Sequence, residues 1–434
     1  MFKKWLDEQL VLPKLLYLTL NLTVYSTHTF TAMYFYEQWH LEIWHFGFIA
    51  TLSAIHFLTA PMWGRLADKT GRHRLILLIG VAGYAGSFGL LQIRGVGGNG
   101  IGRIIWTGWL YGMSFVFNSA LFPLVDEQML KMLKAKRNEG VRELFGRQRL
   151  FGSLGHGLAT LLTGMGIDRF GYIAMFLNLF VSSFIFCLLV IILIPNNTKE
   201  KPAIEDSTKI KDTKKIEVLK ESEEAKEIEE GGNSSTLTLL TSISFILFLL
   251  MVFCSGYVRA VLSLYLPFYL QRDHNRSATL VAIAKLCQVA SEVVLFALGK
   301  YLYRFLSPPF LVLLAQVCGI TRALAYAFLP PKGNWFFAAF VIELLKGAST
   351  ALAVSGGVIM AEEIAVKSGK GLETMAQGLF SGVYSGLSAA AGGAVGGLIL
   401  MLLPNHSIAI LFLVTAIAAS VTTVLFGLKY YFVR

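Results

Sequence analysis

Charged side chains are scarce in this sequence. Only 15% of the 434 residues are Asp, Glu, Lys or Arg, whereas an ordinary soluble domain carries about 25%. Hydrophobic residues make up 55% of the chain and its mean hydropathy is +0.61. A soluble chain of this length needs far more polar surface to cover its core. The shortage of charge therefore argues against a soluble protein and predicts one that is embedded in a lipid bilayer.

Cysteines and chemical motifs are also scarce. The four cysteines lie in apolar stretches without metal-ligand spacing or a paired framework: Cys187, Cys254, Cys287 and Cys318. We expect them to be small buried hydrophobic residues. No phosphate-binding loop, metal cluster or nucleophile motif is visible in the sequence. We therefore expect no enzyme, no cofactor and no metal. Any transport against a concentration gradient must then be driven by an ion gradient.

Basic residues exceed acidic ones, giving a formal charge of +11. The excess does not indicate nucleic acid binding, because it is concentrated in predicted short loops on one side of a membrane: Arg65, Lys69, Arg72, Arg74, Lys131, Lys134, Lys136, Arg137, Arg142 and Arg147. The loop predicted on the opposite side, between helices 1 and 2, has no Lys or Arg. The positive-inside rule then places both termini at the cytoplasmic face.

Twelve apolar segments are long enough to span a bilayer, which needs about 20 residues. They are 14–36, 43–63, 75–94, 103–125, 149–167, 171–194, 238–269, 278–302, 309–329, 334–360, 374–402 and 407–430. A polar gap divides them six and six. The predicted fold is an all-α membrane protein with an N-terminal half, 1–195, and a C-terminal half, 236–434.

The gap, 196–235, is rich in Lys and Glu and has almost no aromatic residues. Such a stretch cannot bury enough apolar area to fold alone, although 209–230 has the apolar spacing of a surface helix. We interpret the gap as a cytoplasmic linker, and a docking role for it stays open.

The predicted loop after helix 2 has the sequence GRLADKTGRHR, residues 64–74. Its glycines allow a tight turn and close helix approach, and its aspartate can cap a helix and pair with arginines. This segment resembles the signature of the major facilitator superfamily, of the form G-x-L-a-D-r-x-G-r-k/r. The resemblance implies a fold of twelve helices in two pseudo-symmetric halves and a conformational latch formed by Gly64, Asp68, Gly71 and Arg72. The equivalent loop of the second half, 299–304, has no acidic residue at the matching position.

Two further segments resemble lactose permease and its relatives. FGRQRLFGSLG, 145–155, is similar to the start of helix 5 there, and PLVD, 123–126, to the end of helix 4 with Asp in place of Glu. The resemblance implies that Asp126 and Arg149 bind solute hydroxyls. His156 stands where those permeases have a tryptophan that stacks on the sugar, which argues against a galactoside.

The C-terminal half resembles the same group of permease-like, MFS-1-like facilitators. The supporting residues are Glu292, Arg322, Glu343 and Lys346. Lactose permease has an arginine matching Arg322, but its proton-handling histidine and second acid are absent here. The resemblance therefore does not support proton coupling by that particular route.

Ionisable residues at bilayer depth are costly and usually face a bundle interior or a water-filled space. Several occur at helical spacing, and they form stripes on four helices: Asn21, Tyr25 and His28; Ser255, Arg259 and Ser263; Lys285, Gln288 and Glu292; Glu343 and Lys346. Facing stripes predict a polar central cavity. Structural alternatives stay open: Arg259 with Glu292, and Glu343 with Lys346, could be simple ion pairs. The glycines of helix 11, from Gly378 to Gly397, indicate either a gating helix or tight packing.

The leading hypothesis is a secondary transporter that moves a small polar solute, such as a sugar, nucleoside or amino acid, by alternating access. Mixed charges favour a solute with hydroxyls or both signs of charge, and the buried carboxylates and histidines favour protons as the coupling ion. The predicted substrate-binding or coupling residues are Asp126, Arg149, Arg259, Glu292, Arg322, Glu343 and Lys346. We expect a monomer in the lipid bilayer. A non-transporting receptor or scaffold on the same fold is the alternative, and a membrane-embedded enzyme is the least favoured.

Overall fold

The computed structural model describes residues 11–93, 100–136, 141–195, 241–330, 334–368, 373–403, 405 and 407–428. Within them, it leaves undescribed the side chains at 57, 68, 134–149, 299–304, 334, 368 and 373–374. The linker predicted at 196–235 lies outside the described residues.

The first half consists of helices that we label α1 to α6. Their bounds are α1, Val11–His28 continued by Thr31–Trp39; α2, Ile43–Ala50 continued through a 3-10 turn by Ile55–Thr70; α3, His73–Leu90; α4, Ile101–Asn118 continued by Leu121–Lys136; α5, Val141–Phe170; and α6, Ile173–Leu193.

The second half consists of α7 to α12. Their bounds are α7, Ile243–Phe268 ending in a π-helical turn, Tyr269–Asp273; α8, Ala278–Phe305; α9, Pro308–Ala327; α10, Ala338–Ser368; α11, Glu373–Ser381 and Ser388–Leu402, joined by a π-helical turn at Gly382–Leu387; and α12, Ile408–Gly427.

The hydropathy of these helices makes the chain an integral, multi-pass membrane protein. Among the described residues, 11 helices are long and apolar enough to cross a bilayer, and they correspond to α2 through α12. The remaining helix, α1, packs on α5 and α6. Exposed leucines, isoleucines and phenylalanines are frequent along these helices, as expected where lipid rather than water is the solvent.

Three hydrophobic cores show how the two halves meet. One core combines both halves, joining Tyr34 and Phe46 of the first half to Tyr265, Tyr326 and other residues of the second. The other two cores each belong to a single half: one surrounds Leu77 and Leu121, and the other surrounds Phe248 and Leu311. We call the end with the shared core, which holds the loops at 40–42, 171–172 and 274–277, the joined end.

At the joined end, helices of the two halves pack closely against each other. A Cβ on Gly47 of α2 would lie 2.7 Å from Gly397 Cα and 2.9 Å from Gly393 O of α11. A Cβ on Gly164 of α5 would lie 2.7 Å from Ala278 O of α8. Small residues permit such backbone contact between membrane helices. The glycine pattern of α11 therefore serves tight packing at this end.

The opposite end is different. A Cβ placed on Gly64 of α2 or on Gly378 of α11 would meet no heavy atom of the described residues within 4 Å. Among those residues, the two helices that touch at Gly47 and Gly397 make no such close approach at these positions near their other ends. We call this the separate end.

The main differences from the predicted boundaries are at helix ends and breaks. The segment at 126–136, predicted as part of a loop, continues α4 to Lys136, because Met, Leu, Lys and Gln are good helix formers. Lys131 is therefore on a helix. Breaks at Thr29–Phe30 and Ser119–Ala120 divide α1 and α4, and the hydropathy pattern gave no sign of them.

Candidate functional site

A buried ion pair joins α9 to α10. Arg322 Nε and Nη2 donate to Glu343 Oε1 at 3.0 and 2.8 Å, and Tyr326 Oη donates to the same oxygen at 2.9 Å. Arg322 is 2% exposed and Glu343 is fully buried. Because a lone buried charge is costly, each partner needs the other to remain ionised here. The predicted alternative, an intrahelical pair of Glu343 with Lys346, is not what the structure shows.

Lys346 points from α10 towards α8. Its Nζ donates to Gln288 Oε1 at 2.8 Å. The contact depends on Gly347, since a Cβ there would collide with Ser291 Oγ and the Gln288 carbonyl. Lys285, one turn before Gln288, is close enough to Lys346 for the two positive charges to act on each other.

Glu292 lies one turn beyond Gln288 on the same face of α8. It is half-buried. It lies within electrostatic reach of Lys346 and Arg259 and of the Gln288 amide. The stripe predicted on α8 thus faces the one on α10, as the helical spacing indicated.

Arg259 of α7 contacts α11 rather than pairing with Glu292. Its Nη2 donates to Tyr384 O at 3.0 Å, and its guanidinium lies 4.8 Å from the centre of the Tyr384 ring. Tyr384 belongs to the π-helical turn Gly382–Leu387. π-Helical turns often occur at functional sites, and this one directs a backbone carbonyl towards the arginine.

Aromatic rings of α1 and α5 lie opposite the charged residues of the second half. Tyr25 and His156 stack with their centroids 3.8 Å apart, and His28 lies edge-on to Tyr25 at 5.6 Å. His28 is solvent-accessible, yet it lies within electrostatic reach of Lys285, Lys346 and Arg259. An accessible ring beside buried lysines indicates a space between the two halves at the centre of the bundle.

The other members of the α1 stripe and the helix 4 carboxylate have local partners. Asn21 donates to Tyr17 O at 2.9 Å and packs on Gly152 of α5. Asp126 accepts a hydrogen bond from the Tyr17 hydroxyl. Both contacts lie within the first half. The side chain of Arg149 lies outside the described residues, so the solute-binding role of Asp126 and Arg149 stays a prediction.

The signature loop forms a tight connection between α2 and α3. Gly71 has φ of 66° and its N–H donates to Ala67 O at 2.7 Å, a left-handed cap that suits glycine. Arg72 N donates to Thr70 Oγ1 at 3.3 Å. The Asp68 side chain lies outside the described residues, so the latch formed by Gly64, Asp68, Gly71 and Arg72 stays a prediction.

Sequence reasoning missed the contacts made by two acidic residues, Glu127 and Asp168. Glu127 Oε1 lies 3.3 Å from His73 Nε2 and 2.7 Å from Lys131 Nζ, which ties α4 to the signature loop. At the joined end, both Asp168 oxygens accept backbone hydrogen bonds from α8, from Ala278 N at 2.9 Å and Thr279 N at 2.8 Å. Asp168 therefore caps a helix of the other half. In the sequence, the only indication of this capping role was that Asp168 lies near the end of α5.

The MFS_1 like family model matches residues 14–416, nearly the whole chain. The chain belongs to the MFS_1 like family. The predicted membership of the major facilitator superfamily and of its MFS-1-like group is therefore confirmed. No curated protein sequence matched the chain.

Solved structures support the same fold for this member of the MFS_1 like family. A variant of the nucleoside transporter NupG superposes with a TM-score of 0.77 at 14% identity, covering 97% of this chain and 99% of that one. The tetrameric peptide transporter PepTSo2 has a TM-score of 0.67 at 14% identity, with 96% of each chain covered. A peptide transporter, POT, in complex with sulfate gives 0.67 at 13%, covering 97% and 94%. The fold of the chain is therefore the one that these nucleoside and peptide transporters share.

Proposed function

We propose that the protein carries a small polar solute across its membrane by alternating access, coupled to protons, through the charged cluster formed by Arg259, Lys285, Glu292, Arg322, Glu343 and Lys346. The observation that carries this proposal is the placement of these residues at bilayer depth in α7 to α10. Ionisable groups at this depth are expensive and mark solute or ion paths. The similar structures include a nucleoside transporter and a peptide transporter, and nucleosides and short peptides are also small and polar.

Alternating access requires two halves that part at one face while they close at the other. The shared core and the glycine contacts at Gly47, Gly393 and Gly397 favour closure at the joined end. The solute would then enter or leave through the separate end. Gly64, Asp68, Gly71 and Arg72 would latch the separate end in the opposite conformation.

Glu292 is the carboxylate that we assign to proton coupling. Glu343 is held by Arg322 and Tyr326, whereas Glu292 is half-buried and faces Lys346, Arg259, Gln288 and Tyr384. A proton on Glu292 would remove its attraction for Lys346 and Arg259 and release both for the solute. Proton binding and solute binding would then favour each other, which is the thermodynamic condition for symport.

The arrangement of the chain in the membrane completes the proposal. The basic loops place both termini and the linker, 196–235, on the cytoplasmic side, which is then the side of the separate end. The halves 1–195 and 236–434 move against each other within a single monomer. Asp126 and Arg149 line the path near the cytoplasmic opening.

The test is a proton-flux assay in proteoliposomes that contain a pH-sensitive dye and the full chain. We expect one or more members of a panel of sugars, nucleosides, amino acids, dipeptides and organic acids to cause internal acidification. Glu292→Gln should abolish acidification but retain solute binding. The matched control is Glu362→Gln, an exposed glutamate at the far end of α10, which should behave like the wild type. Solute binding without any proton flux in the wild type would contradict the coupling.

A further inference from the structure

We infer that the transported solute is an organic anion, and that its carboxylate or phosphate group binds between Lys285 and Lys346. This inference rests on the proposed function and adds a substrate class to it. The argument depends on burial, on the balance of charge around the two lysines and on the aromatic side chains that face them.

Both lysines are removed from bulk solvent. Lys285 is 6% exposed and Lys346 is 8% exposed. They lie in the apolar spans Ala278–Leu298 and Trp335–Lys367. Their like charges act on each other across the contact between α8 and α10. Burying two neighbouring ammonium groups is costly unless an opposite charge is present.

The protein supplies too little negative charge at this place. The cluster has four basic side chains, Arg259, Lys285, Arg322 and Lys346, and two carboxylates, Glu292 and Glu343. Glu343 is within ion-pair distance of Arg322. In the part of the chain that the structure describes, neither Lys285 nor Lys346 lies within 4.0 Å of a carboxylate oxygen. A neutral amide, Gln288, is the hydrogen-bond partner of Lys346.

The missing counter-charge is what a substrate would bring. A carrier must bind its solute at the centre and then release it, so a permanent protein carboxylate beside both lysines would compete with an anionic solute. Leaving that position to the solute makes binding depend on its negative charge. A neutral sugar or nucleoside would leave the two ammonium groups without an anionic group in ion-pair contact, and a cation would add repulsion.

The aromatic side chains that face the two lysines would contact the rest of the solute. Tyr25 and His156 form a stacked pair beside the lysines, and His28 lies within electrostatic reach of both ammonium groups. Such rings can contact a planar or apolar body, while the anionic group binds to the C-terminal half. The geometry therefore fits a small organic acid or phosphate ester with a compact carbon skeleton.

The experiment is a binding titration with the purified full chain, using isothermal calorimetry and thermal shift as readouts. The probes form a matched set: succinate and phthalate as dicarboxylates, glycerol 3-phosphate and phenyl phosphate as phosphate esters, succinamide and glycerol as neutral counterparts, and putrescine as a cation. We expect at least one anion to bind and the neutral succinamide and glycerol not to bind. Comparison of the dicarboxylates with the phosphate esters identifies the anionic group.

Variants locate the site. Lys285→Gln and Lys346→Gln should each weaken anion binding by tenfold or more, about 1.4 kcal/mol. Lys346→Arg keeps the positive charge and should retain part of the affinity, which separates loss of charge from loss of folding. The matched control is Lys367→Gln, an exposed lysine at the end of α10, which should leave affinity unchanged.

Two results would overturn the inference: no binding of any anion, or equal binding of anions and neutral counterparts that survives both Lys→Gln changes. In either case, proton flux driven by a neutral solute would leave the proposed transport function intact. Absence of proton flux with every solute would instead contradict the proposed function itself.

Discussion

The centres of the two halves are built from different chemistry. In the C-terminal half, Arg322 and Glu343 form a buried ion pair and Lys346 reaches a buried amide. In the N-terminal half, the corresponding surface consists of the stacked rings of Tyr25 and His156, and Asp126 accepts a hydrogen bond from a neutral tyrosine. If the proposed solute site is correct, the C-terminal half supplies the charged contacts at the centre of the bundle and the N-terminal half supplies aromatic contacts.

This division has an energetic consequence. Charged contacts within one half can stay intact while that half rotates as a unit, because they do not cross the junction. In the proposed alternating access, the contacts that would break are then the uncharged glycine contacts of the joined end and the Asp168 cap. The following predictions test the division, beginning with the largest expected effect.

Removing one partner of the buried ion pair should destabilise the protein most. Glu343→Gln leaves the Arg322 charge uncompensated, which we expect to lower the free energy of unfolding by about 3–5 kcal/mol. In the N-terminal half, Asp126→Asn weakens a hydrogen bond with the neutral Tyr17, the partner that the described residues give it, and should cost about 1–3 kcal/mol. Thermal unfolding of both variants in the same detergent measures the difference.

The double variant Arg322→Met with Glu343→Gln provides the control. Replacing both charges should restore much of the stability lost in Glu343→Gln alone, because no lone buried charge remains. An equal loss in Glu343→Gln and Asp126→Asn would contradict the contrast between the halves.

The Asp168 cap connects the two halves at the joined end. Asp168→Asn weakens its two hydrogen bonds to the backbone of α8 and should destabilise the closed joined end by about 0.5–2 kcal/mol. Distances between spin labels placed on both sides of this end should shift towards the open population. Glu362→Gln, which alters an exposed glutamate of α10, should not change these distances.

The aromatic side chains that face the two lysines should contribute less to binding than the lysines. Tyr25→Ala removes one ring of the stacked pair, and we expect affinity for an aromatic anion such as phthalate to fall by about 0.5–1.5 kcal/mol. Affinity for succinate should change less, because it presents no ring. Calorimetric titration of both anions checks this prediction. A tenfold loss of affinity for succinate, with no loss for phthalate, would contradict it.

His274 should give the smallest effect, in the loop between α7 and α8. Burial lowers the pKa of its imidazole, with Arg276 lowering it further and Asp273 opposing the shift. As the pH falls below the unfolded-state pKa, near 6.5, the unfolded chain binds the proton first. The stabilising contribution is therefore present above that value and is lost as the pH falls towards and through the lower folded-state pKa.

We accordingly expect acidification from about pH 7.5 to 5.5 to lower the melting temperature of the wild type more than that of His274→Asn. The comparison is made between the two proteins at each pH, because other groups titrate in both. Identical pH dependence of the two melting temperatures would show that His274 does not contribute.

The sequence was sufficient for the fold and for much of the site's composition. Hydropathy predicted the spans, and helical spacing placed Gln288, Glu292 and Lys346 on facing stripes. Spacing along one helix could not show that Glu343 pairs with Arg322 of α9, because that choice depends on how the helices pack. The π-helical turn that directs Tyr384 O to Arg259 was equally invisible, since no residue pattern specifies it.

The most direct test of the account is counterflow in proteoliposomes preloaded with the anion that binds most tightly. With a trace of the same labelled anion outside, the wild type should accumulate label transiently. The variant with both Lys285→Gln and Lys346→Gln should accumulate little, while Lys367→Gln should match the wild type. Equal accumulation by the wild type and the double variant would contradict the claim that charge in the C-terminal half selects the solute.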